Sequence, residues 1–418
     1  MAVDPPKPSM ISLRQARDVV VERTTASPVE EEVPLHESLG RRLASEFRAQ
    51  EPWPTTDRSA MDGFALSAPK GVVAGTVMSV VGESLAGHPF EGCVGQDQAI
   101  RIMTGAVVPG DVDTVVRVED TSGFGGESVT FTQDVPSGSN IRPAGSEIAV
   151  GDLLLARGAW IRAAEIGALA VLGKERVKVF RRPRVAILST GDEVVPIGAD
   201  PQPHQLRDSN SHALQAQVHE AGGTAFSLGI GKDDPEDMEA RIRKGLEEAD
   251  VLLTIGGVSK GTHDLVGDSL AKLGVEQVFW GVALKPGKPS FFGVRHDGDR
   301  VQHVFGLPGN PASCFTVFDL LVRPCLSILS GGSPVELRAR ASLEGVPFRK
   351  NWRTQAIPAR FSWGDDGGLK ASVEPARPSG DPFGLVGGDG YVLIPPDVMA
   401  QDVDVTDIVF YGSGFKNP

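Results

Sequence analysis

The chain has 418 residues, 40% hydrophobic and 23% charged, a balance that belongs to soluble globular proteins long enough for several domains. Its formal charge of -13 excludes general nucleic-acid binding, which relies on basic surface to neutralise phosphate. Cys93, Cys314 and Cys325 are widely spaced and form no C-x-x-C pair, which argues against a disulfide framework or a zinc cluster and for free thiols in a reducing cytoplasm. No basic-then-apolar leader opens the sequence and no apolar run reads as long enough to span a bilayer, so direct membrane insertion is not expected.

Ser12, with Gln15 three residues on, has the form of a capping box and opens a helix carrying Val19, Val20 and Val21. A short strand and a second short helix are expected before residue 48. From 49 to 140 glycines multiply, and alternating runs such as TVMSVVGE and DTVVRVED replace helical periods, which predicts a β-rich insertion. EIAVGDLLLARGAWIRAAEIGALAVLG returns to mixed strand and helix, so 11–48 and 141–178 are expected to form one mixed α/β first domain around the insertion. From 179 the rhythm becomes strand, loop, helix, strand, through RVAILST, SHALQAQVHEAGG, TAFSLGI, PEDMEARIRKGLEEA, DVLLTIGG and the helix ASCFTVFDLLVRPCLSIL. That alternation predicts a mainly parallel α/β sandwich over 179–331, with helices on both faces of its sheet. Residues 332–418 lack long helical periods, show strands near 335–345, 352–363 and 391–395, and are expected to form a small β domain.

Ligands of open α/β sheets bind at the carboxyl ends of the parallel strands, so the residues after each central strand are a physical test of function. After VAIL comes STGDE, with Ser189, Thr190 and Glu193; RDSNS, with Asp208 and Ser209, opens the next helix. After SLGI comes GKDDP, with Asp233 and Asp234; after LLTI comes GGVSKGTHD, with Gly256, Gly257, Ser259 and Asp264; and after HVF comes GLPGNPAS, with Pro308 and Asn310. Each motif taken singly reads as a turn or a helix cap. Together at one sheet edge they favour a phosphate-containing ligand. Glycines admit it to the backbone, helix starts add a favourable dipole, and Glu193, Asp233, Asp234 and Asp264 suit a Mg²⁺ bridging its oxygens. LKPGKPS adds Lys285 and Lys288 on a turn stiffened by Pro and Gly.

RSAMDGFA, RIMTGAVVPGDVDTVVRVED, LSTGDE, RDSN, GGVSKG, KPGKP and GLPGNP, in this order, resemble the molybdopterin molybdenumtransferases, the MoeA-type proteins similar to the E domain of gephyrin. The resemblance runs from about residue 10 to 418. It implies a mixed first domain, an inserted β-rich domain, a central molybdopterin-binding α/β domain and a C-terminal β-barrel-like domain. It also implies a homodimer whose cleft lies between the central domain of one subunit and the β-rich insertion of the other. The implied reaction takes adenylylated molybdopterin and molybdate to molybdenum cofactor and AMP with a divalent cation, in the company of a molybdopterin adenylyltransferase or molybdoenzyme apo-proteins. By position, Asp62 and Thr104 match the cleft wall, Glu193, Asp233 or Asp234, and Asp264 the central carboxylates, Lys285 and Lys288 the anion-holding lysines, Arg353 in NWRTQ the arginine that joins them, and Ser379 in RPSGD a serine of the same oxyanion site.

The sequence departs from the family pattern at Glu147 and Asp389, where Asp and Asn are usual, and at Lys260 and Leu265. An alternative reading follows from gephyrin: a dimeric scaffold holding a short peptide of a membrane-associated, cytoskeletal or cell-division partner, with or without residual transferase activity, at a surface near Pro395 and Pro396. The enzyme reading is preferred, because a pure scaffold has little reason to keep so many ligand-type loops.

Overall fold

The structure, a computed structural model, describes residues 10–25, 28–257, 265–334, 338–345, 349–373, 377–399 and 405–411. Val251–Ile255 is buried at all five positions, as a near-continuous apolar strand in the middle of a parallel sheet should be. It belongs to a six-stranded sheet with the order Thr224–Gly231, Arg184–Thr190, Val251–Ile255, Arg300–Leu307, Phe291–Asp297, Glu276–Trp280. The first four strands are parallel. Phe291–Asp297 is antiparallel to both of its neighbours and joins Arg300–Leu307 through the hairpin that pairs Asp297 with Arg300.

Helices cover both faces. On one, Pro235–Glu248 starts from the Asp234 cap with Pro at its first turn and buries Met238, Ile242 and Leu246 at fourfold spacing. With Leu265–Lys272 it packs on Ala186, Leu188, Leu252 and Val304. On the other face, Leu13–Arg23, held by the Ser12–Gln15 capping box, shares a core with Asn210–Glu220 and the run Pro311–Leu329. That last run is long and apolar enough by composition to cross a membrane, contrary to the sequence reading. Its residues are a core element, with 78% of its most apolar window buried, and it carries the buried pair Asp319–Arg323 across a π-helical turn at Phe318–Val322.

A seven-stranded sheet runs in the order Ile11–Ser12, Val282–Lys285, Thr354–Trp363, Leu369–Val373, Arg338–Gly345, Val405–Phe410, Gly390–Ile394. A further pairing of Thr354–Trp363 with Gly390–Ile394 closes its last five strands into the barrel expected at the C-terminus. Ala341, Phe361, Ala371, Val392 and Ile408 fill the interior. Asp389 has a local role here, since its Oδ2 accepts the Phe361 N–H at 2.8 Å.

The chain divides into two compact units, one of Met1–Ala44, Trp160–Arg162 and Arg176–Pro418, the other of Ser45–Ala159 and Ala163–Glu175. The second contains a five-stranded sheet, Thr114–Arg117, Gly63–Leu66, Gln98–Ile102, Val77–Ser84, Ser128–Thr130, with a separate apolar cluster on each face. Val77–Ser84 alternates exposed and less exposed residues, the twofold period read from TVMSVVGE. The strands expected for the mixed first domain are distributed over both units. Glu30–Pro34 pairs with Arg176–Phe180 in the first, and Phe47–Arg48 with Leu153–Leu155 in the second. The expected second short helix is a single 3-10 turn, Leu35–Glu37.

Candidate active site

Four parallel strands end at Thr190, Gly231, Ile255 and Leu307, so their loops emerge from one sheet edge. Hydrogen bonds then tie these loops to one another. Ser189 Oγ donates to Asp208 Oδ2 at 2.7 Å, and Asp208 Oδ1 accepts the Ser211 N–H at 3.1 Å, starting the helix Asn210–Glu220. Thr190 Oγ1 donates to the Ile255 carbonyl at 2.9 Å, and the Gly256 N–H to the Leu307 carbonyl at 2.9 Å. Gly256 has φ +81°, and a Cβ there would meet Thr190 Oγ1 at 2.9 Å, so this crossing requires glycine. Gly257 follows in the same turn, Pro308 is buried behind the last loop, and Ser209 is exposed at its helix start without a side-chain cap bond. Asn210, which the sequence reading passed over, donates from Nδ2 to the Gly309 carbonyl at 2.7 Å. Its only sequence signal was its place in RDSN.

The carboxylates divide by role. Asp234 caps the helix Pro235–Glu248, accepting the N–H groups of Glu236 and Asp237 at 3.1 and 2.9 Å. Asp233 points to a different environment: burial first, then the charges of Asp192 and Glu193, hold its pKa above the usual carboxylate value. Asp192, also missed as a site residue, accepts the Asp233 N–H at 3.4 Å. This accumulation of uncompensated negative charge is what a divalent cation relieves. Among the described residues no three side chains converge closely enough to ligate one ion unaided. Ser259 and Asp264 lie outside the described residues, as do Lys260 and His263.

Lys285 ends the strand Val282–Lys285, which leaves the central domain to join the barrel sheet. Leu284 lies opposite Thr354 and Lys285 opposite Gln355 in parallel register, so Arg353 comes alongside Ala283, just before the two paired residues. Arg353 Nη1 donates to the Leu284 carbonyl at 3.4 Å, its guanidinium lies 5.5 Å from the Trp352 ring, and burial pushes its pKa down. Lys285 and Lys288 are exposed, with no side-chain hydrogen bond or ion pair among the described residues. The turn therefore presents two unneutralised ammonium groups, with a guanidinium at the Leu284 carbonyl just before them. Such a set suits a small dianion. Ser379 accepts a hydrogen bond at Oγ from Asn310 Nδ2 at 2.9 Å, which joins the C-terminal segment to GLPGNP.

In the second unit, Asp62 and Thr104 do meet. The Thr104 N–H and hydroxyl donate to Asp62 Oδ1 at 2.7 and 2.8 Å, and these bonds, the backbone one first, hold the Asp62 pKa below its usual value. Both residues are exposed. Glu147 pairs with Arg142 at 2.9 Å. Pro395 and Pro396 are exposed at the end of the strand Gly390–Ile394, where the Asp397 N–H donates to the Asn351 carbonyl at 2.7 Å. The three cysteines are free, Cys93 exposed and Cys314 and Cys325 buried.

Residues 11–173 match the family model described as the MoeA N-terminal region, domains I and II, and residues 186–327 match that of a probable molybdopterin binding domain. A molybdopterin molybdenumtransferase of Haemophilus influenzae is 33% identical over 324 residues, spanning 77% of this chain and 78% of its own. One from Bacillus subtilis is 32% identical over 371 residues, spanning 87% and 85%. Two crystal structures of moeA molybdopterin biosynthesis proteins from Pyrococcus horikoshii superpose with TM-scores of 0.82 and 0.80, at 31% and 26% identity. They cover 97% and 96% of this chain and all of their own.

Proposed function

The chain belongs to the molybdopterin molybdenumtransferases, the MoeA family, and from that premise we propose how its residues divide the work of inserting molybdate into adenylylated molybdopterin with release of AMP. One observation supports the assignment of roles: Arg353 Nη1 reaches the Leu284 carbonyl at 3.4 Å, one residue before Lys285. In this reading the three cations hold molybdate, and preorganisation on a Pro/Gly turn and a strand means little is reorganised when charge shifts during insertion. Ser379 adds a hydroxyl donor. The strand-end loops with Ser189, Thr190, Asp208, Ser209, Gly256, Gly257, Pro308 and Asn310 form the pocket for the pterin and its phosphates, where backbone N–H groups favour anions.

Glu193 and Asp233, with Asp264 as the third candidate, would hold Mg²⁺. When bound, it supplies Lewis acidity to the pyrophosphate oxygens. Asp234 is left to the helix start. The Asp62–Thr104 pair completes the cleft from the β-rich domain of a second copy of the chain in a homodimer. The reaction is placed in the cytoplasm, where free cysteines stay reduced. Nothing specific supports peptide holding at Pro395 and Pro396, and the enzyme reading stands without it.

The test is to incubate purified protein with adenylylated molybdopterin, molybdate and Mg²⁺, following AMP release and reconstitution of an apo-molybdoenzyme. Molybdate-dependent appearance of both products is expected; their absence contradicts the reading.

A further inference from the structure

We propose that Asn310 is a positioning residue that aims the Ser379 hydroxyl at the bound oxyanion, an inference that rests on Ser379 belonging to the oxyanion site. Asn310 occupies the N-cap of the helix Pro311–Val317, where asparagine ordinarily turns its side chain back onto the free N–H groups of the first turn. Here it makes no such bond. Its Nδ2 donates instead to Ser379 Oγ at 2.9 Å, while the Ala312 N–H is taken by the Ser379 carbonyl at 3.1 Å. The C-terminal segment thus caps the helix, and the residue displaced from capping grips the residue that does it.

Both ends of this exchange are braced. Ser379 sits in a turn in which the Asp381 N–H donates to the Pro378 carbonyl at 3.0 Å, and Arg377 pairs with Asp381 at 3.1 Å. On the other side, Asn210 fixes Gly309 through its carbonyl at 2.7 Å.

A serine hydroxyl has one proton to donate and two lone pairs to accept with. The Asn310 amide engages a lone pair, which restrains rotation about Cβ–Oγ. Among the described residues the Ser379 hydroxyl donates to no acceptor, which leaves its proton available to a ligand. Accepting from an amide also polarises the hydroxyl and makes it a better donor. Without Asn310 the hydroxyl rotates freely and its proton turns to other acceptors.

The test is a double-mutant cycle on the full-length enzyme, read as the KM for molybdate. Asn310→Ala and Ser379→Ala should each raise that KM on the order of tenfold, the scale of one charge-assisted hydrogen bond. The double variant should have a KM for molybdate no higher than Ser379→Ala alone, and in Ser379→Ala the KM for adenylylated molybdopterin should stay near wild type. If Asn310→Ala unfolds, Asn310→Asp carries the comparison. It keeps the size but accepts the Ser379 proton, so its KM for molybdate should be raised at least as far as in Ser379→Ala. Additive effects in the double variant, a wild-type KM in Asn310→Ala, or equal losses in kcat and both KM values would overturn the role of Asn310. A wild-type protein that releases no AMP would instead overturn the functional reading beneath it.

Discussion

Between Lys285 and Lys288 the backbone passes through Gly287 at φ +122°, where a Cβ would lie 2.7 Å from Val317 Cγ2 and 2.9 Å from Leu284 Cδ2. Gly287→Ala therefore strains the turn and pushes on the core helix together. It should destabilise the protein by about 1–3 kcal/mol in urea unfolding and raise the KM for molybdate. Neither change in a folded variant would mean that the turn is free to adapt. His303 makes a second residue-scale case. It is fully buried, stacked on Phe292 at 6.5 Å, and burial pushes its pKa down to about 4, with the backbones of Arg23 and Asp250 and the Asp250 charge opposing and His296 assisting. A folded pKa below the usual 6.5 means the unfolded chain binds the proton more readily. The contribution is complete above about 6.5 and is lost as pH falls through about 4, at a total of up to about 3 kcal/mol. His303→Phe should flatten the decline in unfolding free energy between pH 7 and 4; an unchanged slope would place the acid sensitivity elsewhere.

The helix Pro235–Glu248 separates two adjacent carboxylates that the sequence left equivalent. Asp234→Ala removes a cap and should cost about 1 kcal/mol of stability with little effect on AMP release under saturating Mg²⁺. Asp233→Asn should do the reverse. Its raised pKa means that ionisation is penalised in the folded state, a penalty that appears as pH rises through the ordinary carboxylate range. The variant should therefore be slightly more stable at pH 7 and no different at pH 3, while Mg²⁺-dependent AMP release falls. The reverse pattern would exchange the two assignments. The strand ends themselves were legible, because buried runs such as Val251–Ile255 stop abruptly at glycines and polar residues. So was the cap at Ser12, a signal contained in four residues. The pairing of Val282–Lys285 with Thr354–Trp363 was not, since a three-residue apolar run has no period and its partner is remote in sequence. The bond from Asn310 to Ser379 was hidden for the same reason. The run Pro311–Leu329 was read correctly as a helix, but its composition is that of a span, and only the sheet beneath it explains that.

At the scale of the whole molecule, Asp62 and Lys285 belong to different compact units, and the proposed cleft draws them from two copies of the chain. Sedimentation at micromolar concentration should then give twice the chain mass. Heterodimers of an Asp62→Ala chain with a Lys285→Ala chain should recover about half the wild-type activity, because one of the two clefts is intact; no recovery would indicate a cleft built within one chain. The account as a whole depends on the cation set at the Lys285–Lys288 turn. Removing either ammonium should weaken molybdate by roughly 1.5–3 kcal/mol, about tenfold or more. Arginine should not restore it, since a planar fork cannot replace a compact ammonium on so tight a turn. The most direct measurement is the molybdate dependence of cofactor synthesis in Lys285→Ala, Lys288→Ala and the two arginine variants. The expected result is a KM for molybdate raised at least about tenfold in all four with the fold intact. Full synthesis at wild-type molybdate concentrations in the alanine variants would contradict the account.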